Sequence, residues 1–217
     1  MAKKFKIDLP KIQGQLEEAR FRDLYLEDDP YLHDCSITGA FLENEEIDKL
    51  ILSKVKFNNV TLIHSSFYKV DMTDVVFENC DLSNTNFKEG ILYRVHFKEC
   101  KLMGIDFEKA NLRNVTFENC MLDMSEFVET DLKPVLFDHS SLKNANFYET
   151  KLNTVKFKAC NIEEIDFTET SLNGIDISTC KFNTIHVDIT SLKGCTVSRE
   201  QAIVFSTLLG LNVKEDE

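Results

Sequence analysis

The sequence predicts an all-β solenoid with square coils, and three observations carry that prediction. Every fifth residue from Leu32 to Val197 is bulky and apolar without a slip: Leu52, Leu62, Met72, Leu82, Leu92, Leu102 and Leu112 alternate with Phe57, Phe67, Phe77, Phe87, Phe97, Phe107 and Phe117. A period of five is neither the 3.6 of a helix nor the 2 of a flat strand, so the chain must turn a corner every five residues. Two places before each centre stands a small or β-branched residue, as in Val55, Val75, Val95, Val115, Val135, Val155 and Ile175, or Thr130, Thr150, Thr170 and Thr190. Both series recur every twenty residues. Four five-residue faces then close one coil, and residues twenty apart stack about 4.8 Å apart. A short unit that rests on its own repeats is a solenoid.

The elements follow in order. Residues 1–31 read as an N-terminal cap with partial repeats, since Leu16, Phe21, Leu26 and Tyr31 echo the period one step out of register. Asp28-Asp29-Pro30 reads as the turn that absorbs the shift. Met1 to Pro10 is basic, but its apolar run is too short for a signal peptide. Residues 32–197 form the coil itself, about eight turns and a rod about 40 Å long. Phe107, Phe127, Phe147 and Phe167 stack on one inner wall, Phe97, Phe117, Phe137 and Phe157 on the opposite one, and Leu, Met and Ile fill the other two without voids. Asn84, Gly104, Asn114, Asn144, Gly174 and Gly194, two places after a centre, suit corners with positive φ. After Val197 the period stops. Ser198 and Gln201 have capping-box spacing, Ala202, Ile203, Phe205, Leu208 and Leu209 give a helix its apolar side, and Gly210 ends it. Leu211-Asn212-Val213 can form a short strand. Residues 198–217 are thus a capping and dimerisation segment.

Units such as Cys80-Asp81-Leu82-Ser83-Asn84, Ala110-Asn111-Leu112-Arg113-Asn114 and Ala145-Asn146-Phe147-Tyr148-Glu149 resemble the motif of the pentapeptide repeat family: small, Asp or Asn, Leu or Phe, polar, any. The resemblance covers about three-quarters of the chain. It implies a right-handed quadrilateral parallel β-helix.

Composition agrees with a single soluble domain: 217 residues, three prolines and no Gly/Ser-rich linker. No segment approaches a membrane span. The seven cysteines, Cys35, Cys80, Cys100, Cys120, Cys160, Cys180 and Cys195, all fall on the small inward position, five in one column interrupted by Ser140. Parallel thiols do not converge as zinc requires, and their Cβ atoms stand too far apart for bridges. They read as small core hydrophobes, and an odd number of reduced thiols points to the cytoplasm. No cofactor or metal is implied. The five histidines, His33, His64, His96, His139 and His186, are scattered outward with no nucleophile beside them. The carboxylates are expected to be exposed, without a pocket to perturb them, so the chain reads as non-enzymatic.

What remains is charge on a rod. Acids outnumber bases 37 to 25, a formal net charge of −12. The face centred on Phe87 to Phe167 carries Glu89, Asp106, Glu108, Glu126, Glu129, Glu149, Asp166 and Glu169 outward, opposed by Lys88 and Lys109. The adjacent face, centred on Leu92 to Leu172, carries Arg94, Arg113, Lys133 and Lys151 against Asp131. Eight carboxylates over about 24 Å is one per 3 Å or so, against about one charge per 1.7 Å in duplex DNA. A stripe of this kind also serves simply to keep a rod soluble.

The stretch from Ser191 to Val213 is similar to the terminal segment of the Qnr-type quinolone-resistance proteins, especially those of Gram-positive bacteria. That resemblance implies a homodimer through Ala202, Ile203, Phe205, Leu208, Leu209, Leu211 and Val213. It implies a double-length acidic rod that imitates DNA, binds DNA gyrase and topoisomerase IV as protein partners without binding nucleic acid or membrane, and protects them from quinolones. The projecting loops of the Gram-negative members are absent here, which puts loop-dependent protection in doubt. The competing reading is an acidic scaffold or adaptor rod for another basic protein.

Overall fold

The computed structural model describes residues 5–12, 14–26 and 30–214. Its strands are β1 (Glu17–Glu18), β2 (Tyr31–Thr38), β3 (Phe41–Glu43), β4 (Ile51–Asn58), β5 (Thr61–Ile63), β6 (Asp71–Glu78), β7 (Ile91–Lys98), β8 (Asn111–Glu118), β9 (Asp131–Leu132), β10 (Val135–Asp138), β11 (Lys151–Leu152), β12 (Val155–Lys158), β13 (Ile165–Asp166) and β14 (Ile185–His186). They form a parallel β-solenoid of about eight turns, with one helix, α1 (Arg199–Leu208), at its C-terminal end. From β2 to β12 every ladder pairs residues twenty apart: Val55 with Val75, Val95 with Val115, Phe117 with Phe137. The twenty-residue stack is therefore the observed register.

Two columns of phenylalanine run up the interior. Phe57, Phe77, Phe97, Phe117, Phe137 and Phe157 stack nearly parallel, with centroids 5.0 Å apart from Phe77 onward. Phe107 and Phe127, 5.2 Å apart, belong to the facing column, and the two columns meet edge to face, as at Phe107–Phe117 (6.1 Å, 69°). Offset stacking along a column and T-shaped contact across it are the two arrangements that aromatic quadrupoles favour.

The small inward residues have a second task. Several of the Thr, Ser and Cys side chains among them donate to a carbonyl 23 residues earlier: Thr130 to Phe107 O, Thr150 to Phe127 O, Ser140 to Phe117 O, Cys120 to Phe97 O and Cys160 to Phe137 O. Thr, Ser and Cys therefore interchange there, and Ser140 breaks the cysteine column without breaking the bond. All seven cysteines are free and six are buried; Cys195 is half-exposed. Buried Ser125 Oγ has no hydrogen-bond partner among the described residues.

Positive φ is not confined to glycine and asparagine. Asn84, Gly104, Asn114, Asn144, Gly174 and Gly194 have it, but so do Lys54, Asp74, Arg94, Met124 and Thr154. Neighbouring coils over-determine the corner, so even a β-branched residue is held in a conformation it disfavours.

The N-terminal end departs from simple repetition. β1 pairs with β2 at a spacing of eighteen (Glu17 with Cys35), and a 3-10 helix, Phe21–Leu26, turns Phe21 and Leu24 into the core. Phe21 meets Phe67 edge-on at 6.2 Å. Leu16 is half-buried and Tyr31 exposed; the Asp28-Asp29 turn and the Leu26 side chain lie outside the described residues. At the other end Ser198 and Gln201 make both bonds of a capping box, and the Gln201 amide donates to Ile177 O and Cys180 O, so the helix caps the last coils. The expected strand at Leu211-Asn212-Val213 is absent: these residues are exposed coil, because no described strand edge lies beside them to accept their backbone bonds. No helix of the described residues is long and apolar enough to cross a membrane.

Candidate functional site: an acidic face and an apolar end

The register brings the predicted acidic residues onto one face. Backbone bridges run Asn86–Asp106–Glu126–Asn146, then Asn146–Asp166. Glu108 stands in the neighbouring outward column, and Glu89, Glu129, Glu149 and Glu169 stand at the corners, each with positive φ. The corner points these four carboxylates away from the rod.

The face has two electrostatic halves. In the first, Lys88 sits 3.1 Å from Asp106 and 2.8 Å from Glu108, which together hold its ammonium up to about 12. Lys109 bonds Glu108 at 3.1 Å and reaches Glu129 at 3.6 Å. Lys69, which the sequence reading left out, pairs with Glu89 at 3.3 Å, while the Tyr68 hydroxyl donates to Glu89 at 2.7 Å; both draw the Glu89 carboxyl below its usual range. In the second half, Glu126, Glu149, Asp166, Glu169 and Asp188 have no lysine or arginine within ion-pair distance among the described residues. Asp188 is the member the sequence reading missed; its carboxylate accepts the Glu169 N–H at 2.9 Å. Burial, with Asp106 and Glu108 near, pushes the Glu126 carboxyl above its usual range.

The adjacent face is less basic than counted. Arg94 forms a two-point pair with Asp74, Nε to Oδ1 at 2.5 Å and Nη2 to Oδ2 at 2.6 Å, and its guanidinium lies 4.0 Å from the Tyr93 ring centroid. The expectation that all carboxylates are exposed fails here. Asp74 is 4% exposed, and the Arg94 hydrogen bonds hold its carboxyl below the usual range. Four histidines stand beside carboxylates, His33 with Asp34, His96 with Glu118, His139 with Asp138 and His186 with Glu164. No cluster of His, Cys, Asp or Glu with metal-binding geometry occurs among the described residues.

The C-terminal end is apolar and open. Ile189, Leu192, Cys195, Val197, Ala202, Phe205, Leu208 and Leu209 line a groove of about 380 Å³ beside α1. Ile203, Leu208, Leu209, Leu211 and Val213 are exposed, and Phe205 is half-buried against Phe182 at 5.7 Å. The helix therefore buries Gln201 against the coil and leaves most of its apolar side outward.

Residues 70–147 match the model of the Pentapeptide repeat region, and the solenoid matches the pentapeptide-repeat β-helix fold. A trypsin-treated form of QnrB1, a plasmid-mediated fluoroquinolone resistance protein, superposes with a TM-score of 0.50 at 16% identity, covering 85% of this chain and 99% of that one. HetL, a pentapeptide repeat protein involved in heterocyst differentiation regulation in the cyanobacterium Nostoc, gives 0.50 and 16%, covering 85% of this chain and 94% of its own. Both likenesses are of fold. A comparison with curated protein sequences finds no match.

Proposed function

We propose that this pentapeptide-repeat rod is a non-enzymatic, cytoplasmic, homodimeric mimic of duplex DNA that binds DNA gyrase and topoisomerase IV and lowers their sensitivity to quinolones. The observation that carries the reading is the uncompensated half of the acidic face. Glu126, Glu149, Asp166, Glu169 and Asp188, with Glu129 at their edge, project from little more than three coils. At about 4.8 Å per coil the five unpaired carboxylates come to roughly one per 3 Å, against the one charge per 1.7 Å or so of duplex DNA. A groove built to hold DNA meets a rigid rod of similar width and sign. Rigidity matters because the charges are pre-arranged by the ladder and need no ordering on docking.

The uncompensated half adjoins α1. An isologous dimer through Ala202, Ile203, Phe205, Leu208, Leu209, Leu211 and Val213 covers the exposed apolar end. It joins the two bare halves across the dimer axis, placing the densest negative charge at the centre of a double-length rod.

The test is a gyrase supercoiling assay with ciprofloxacin and titrated protein. Drug inhibition is relieved, and the relief fades as salt is raised because the contacts are exposed charges. Folded protein that gives no relief at any concentration overturns the reading. Solution scattering reads the dimer separately, as an elongated particle of twice the chain mass.

A further inference from the structure

Residues 5–12 belong to no coil. They run along the outside of the rod, against the direction in which the coils climb, and touch it at three regular points. The Phe5 ring lies under Lys156 Nζ at 4.7 Å, the Asp8 N–H donates to Asn114 Oδ1 at 3.0 Å, and the Lys11 N–H donates to Asp74 Oδ1 at 2.8 Å. The touching points on the strap are three residues apart, and their partners on the rod lie about two coils apart. Three residues of extended chain cover about 10 Å, and two coils rise about 9.6 Å. The two lattices match.

The corner column explains the match. In order it reads Asp34, Lys54, Asp74, Arg94, Asn114, Pro134 and Thr154, so an oxygen acceptor recurs at every second coil and a non-acceptor stands between. Beside it the outward column of the next face reads Val76, His96, Thr116, Leu136 and Lys156, without the acids found at the same position on the opposite face. Thr116 points outward yet is only 6% exposed. Along the strap Phe5, Ile7, Pro10 and Ile12 are half-buried while Lys6, Asp8, Leu9 and Lys11 are exposed. The recognition uses side-chain acceptors for main-chain N–H groups, so it reads an extended backbone more than any one side chain.

We propose that this corner of the rod is a binding groove for an extended segment that carries apolar residues between lysines, filled in cis by the chain's own residues 5–12. A partner protein's segment of that chemistry occupies the same acceptors when the strap lifts. Few bonds hold the strap, so it opens at lower free energy than the coils beneath it. The tether keeps it at an effective concentration in the millimolar range, which sets the threshold a competitor must overcome. The groove lies away from the acidic face, so this inference stands apart from the topoisomerase reading.

The probe is a fluorescent synthetic peptide copying residues 2–13, titrated into the full-length protein. Wild type binds it with no saturation below about 1 mM, because the strap is in place. The full-length double variant Phe5→Ala, Lys11→Pro weakens the strap without touching the groove, and binds the peptide one to one at least about 10-fold more tightly. Adding Asn114→Ala to that variant weakens binding by about 3- to 10-fold, the effect of one hydrogen bond. Three results overturn the proposal: no binding to the folded double variant, equal binding by wild type, or equal binding of the same peptide N-methylated at the Asp8 and Lys11 amides. Phe5→Ala alone, expected to fall between, decides the matter if the double variant does not fold.

Discussion

The rod divides near Pro134 into two stretches that share an interior and differ in everything outside it. From β4 to β8 four coils have an unbroken eight-residue strand turning a corner at Lys54, Asp74, Arg94 or Asn114, and the acidic face is laced by Lys69, Lys88 and Lys109. Around and beyond Pro134 the same strand splits into pairs, β9 with β10 and β11 with β12, and Glu149, Asp166, Glu169 and Asp188 of the acidic face have no lysine or arginine within ion-pair distance among the described residues. Proline cannot adopt positive φ, and the Val115 N–H to Pro134 O bond stretches to 3.3 Å. Further on, Glu164 and Gly174 bond carbonyls twenty residues ahead, where Asn84 and Asn144 bond nineteen ahead. Across this boundary the Phe column does not notice: Phe97–Phe117 and Phe117–Phe137 are both 5.0 Å apart at 4° and 5°. The core specifies the coil, and the surface is free to specialise on it.

The largest expected effect tests that shared interior. Phe117→Ala and Phe137→Ala lie on either side of the boundary, both fully buried. Each removes a ring from a continuous stack and should cost about 3–5 kcal/mol, read by guanidinium unfolding. The comparison holds if the two costs agree within about 1 kcal/mol, and breaks if Phe137→Ala is markedly cheaper.

Charge reversal tests the difference outside. Glu126→Lys, Glu149→Lys and Asp166→Lys together should weaken binding to gyrase by roughly 30- to 100-fold, at a few tenths to about 1 kcal/mol for each exposed attraction removed and then turned to repulsion. Glu89→Lys, Asp106→Lys and Glu108→Lys change the net charge equally but should cost less than about 5-fold, since charges more than about 8 Å from the partner are screened at physiological salt. Equal losses would mean that total charge, not the bare half, carries recognition.

Acid titration separates the halves by a third route. Glu78, in the stretch before Pro134 on the face opposite the acidic one, takes hydrogen bonds from Lys56 at 2.7 Å and Lys98 at 2.9 Å, which hold its carboxyl down at about 2. A lowered carboxyl adds stability above its unfolded value, near 4.5, and loses that stability as pH falls toward 2. Glu78→Gln should therefore lower stability at neutral pH, leave it little changed near pH 2, and so flatten the acid limb of the unfolding profile between those values. The bare half has an opposite member in Glu126, whose carboxyl is raised. A basic partner needs it ionised, so affinity should climb as pH rises through the upper carboxylate range, and Glu126→Gln should remove that rise.

How much of this was legible in the sequence follows from range. The coil, its register and both Phe columns come from a period of five, because each position repeats an environment that the chain itself supplies. The acidic face was legible as a set of residues but not as a field: Lys69 and Asp188 lie one coil outside the stretch counted, and whether a lysine neutralises a carboxylate depends on corner geometry. Arg94 was counted as free positive charge because Asp74, its partner, stands one coil earlier. Buried Asp74 and the strap over it carry no periodic signal, since the docking is between segments 63 residues apart. The tail strand failed for a related reason. Leu211 to Val213 have the residues of a strand and no edge among the described residues to join.

The smallest expected effect lies at the boundary itself. Pro134→Asn restores a residue that tolerates positive φ and returns an N–H to the corner. Elsewhere that N–H donates to a carbonyl nineteen residues on, as Gly104 does to Asp123 and Asn144 to Glu163, both at 2.9 Å. One such bond contributes about 1 kcal/mol, and removing proline returns roughly 0.4–1 kcal/mol of freedom to the unfolded chain. The terms nearly cancel, leaving a gain of about 0.5 kcal/mol and a melting shift of 1–2 °C or so. Hydrogen exchange at the Val115 amide is the sharper reading, because its bond to residue 134 should shorten and slow exchange even where the melt barely moves. A loss of more than about 1 kcal/mol would mean that the proline corner is tuned into this end of the rod. The split strands beyond it would then belong to the bare half's design, and regularity would cease to be the reference state.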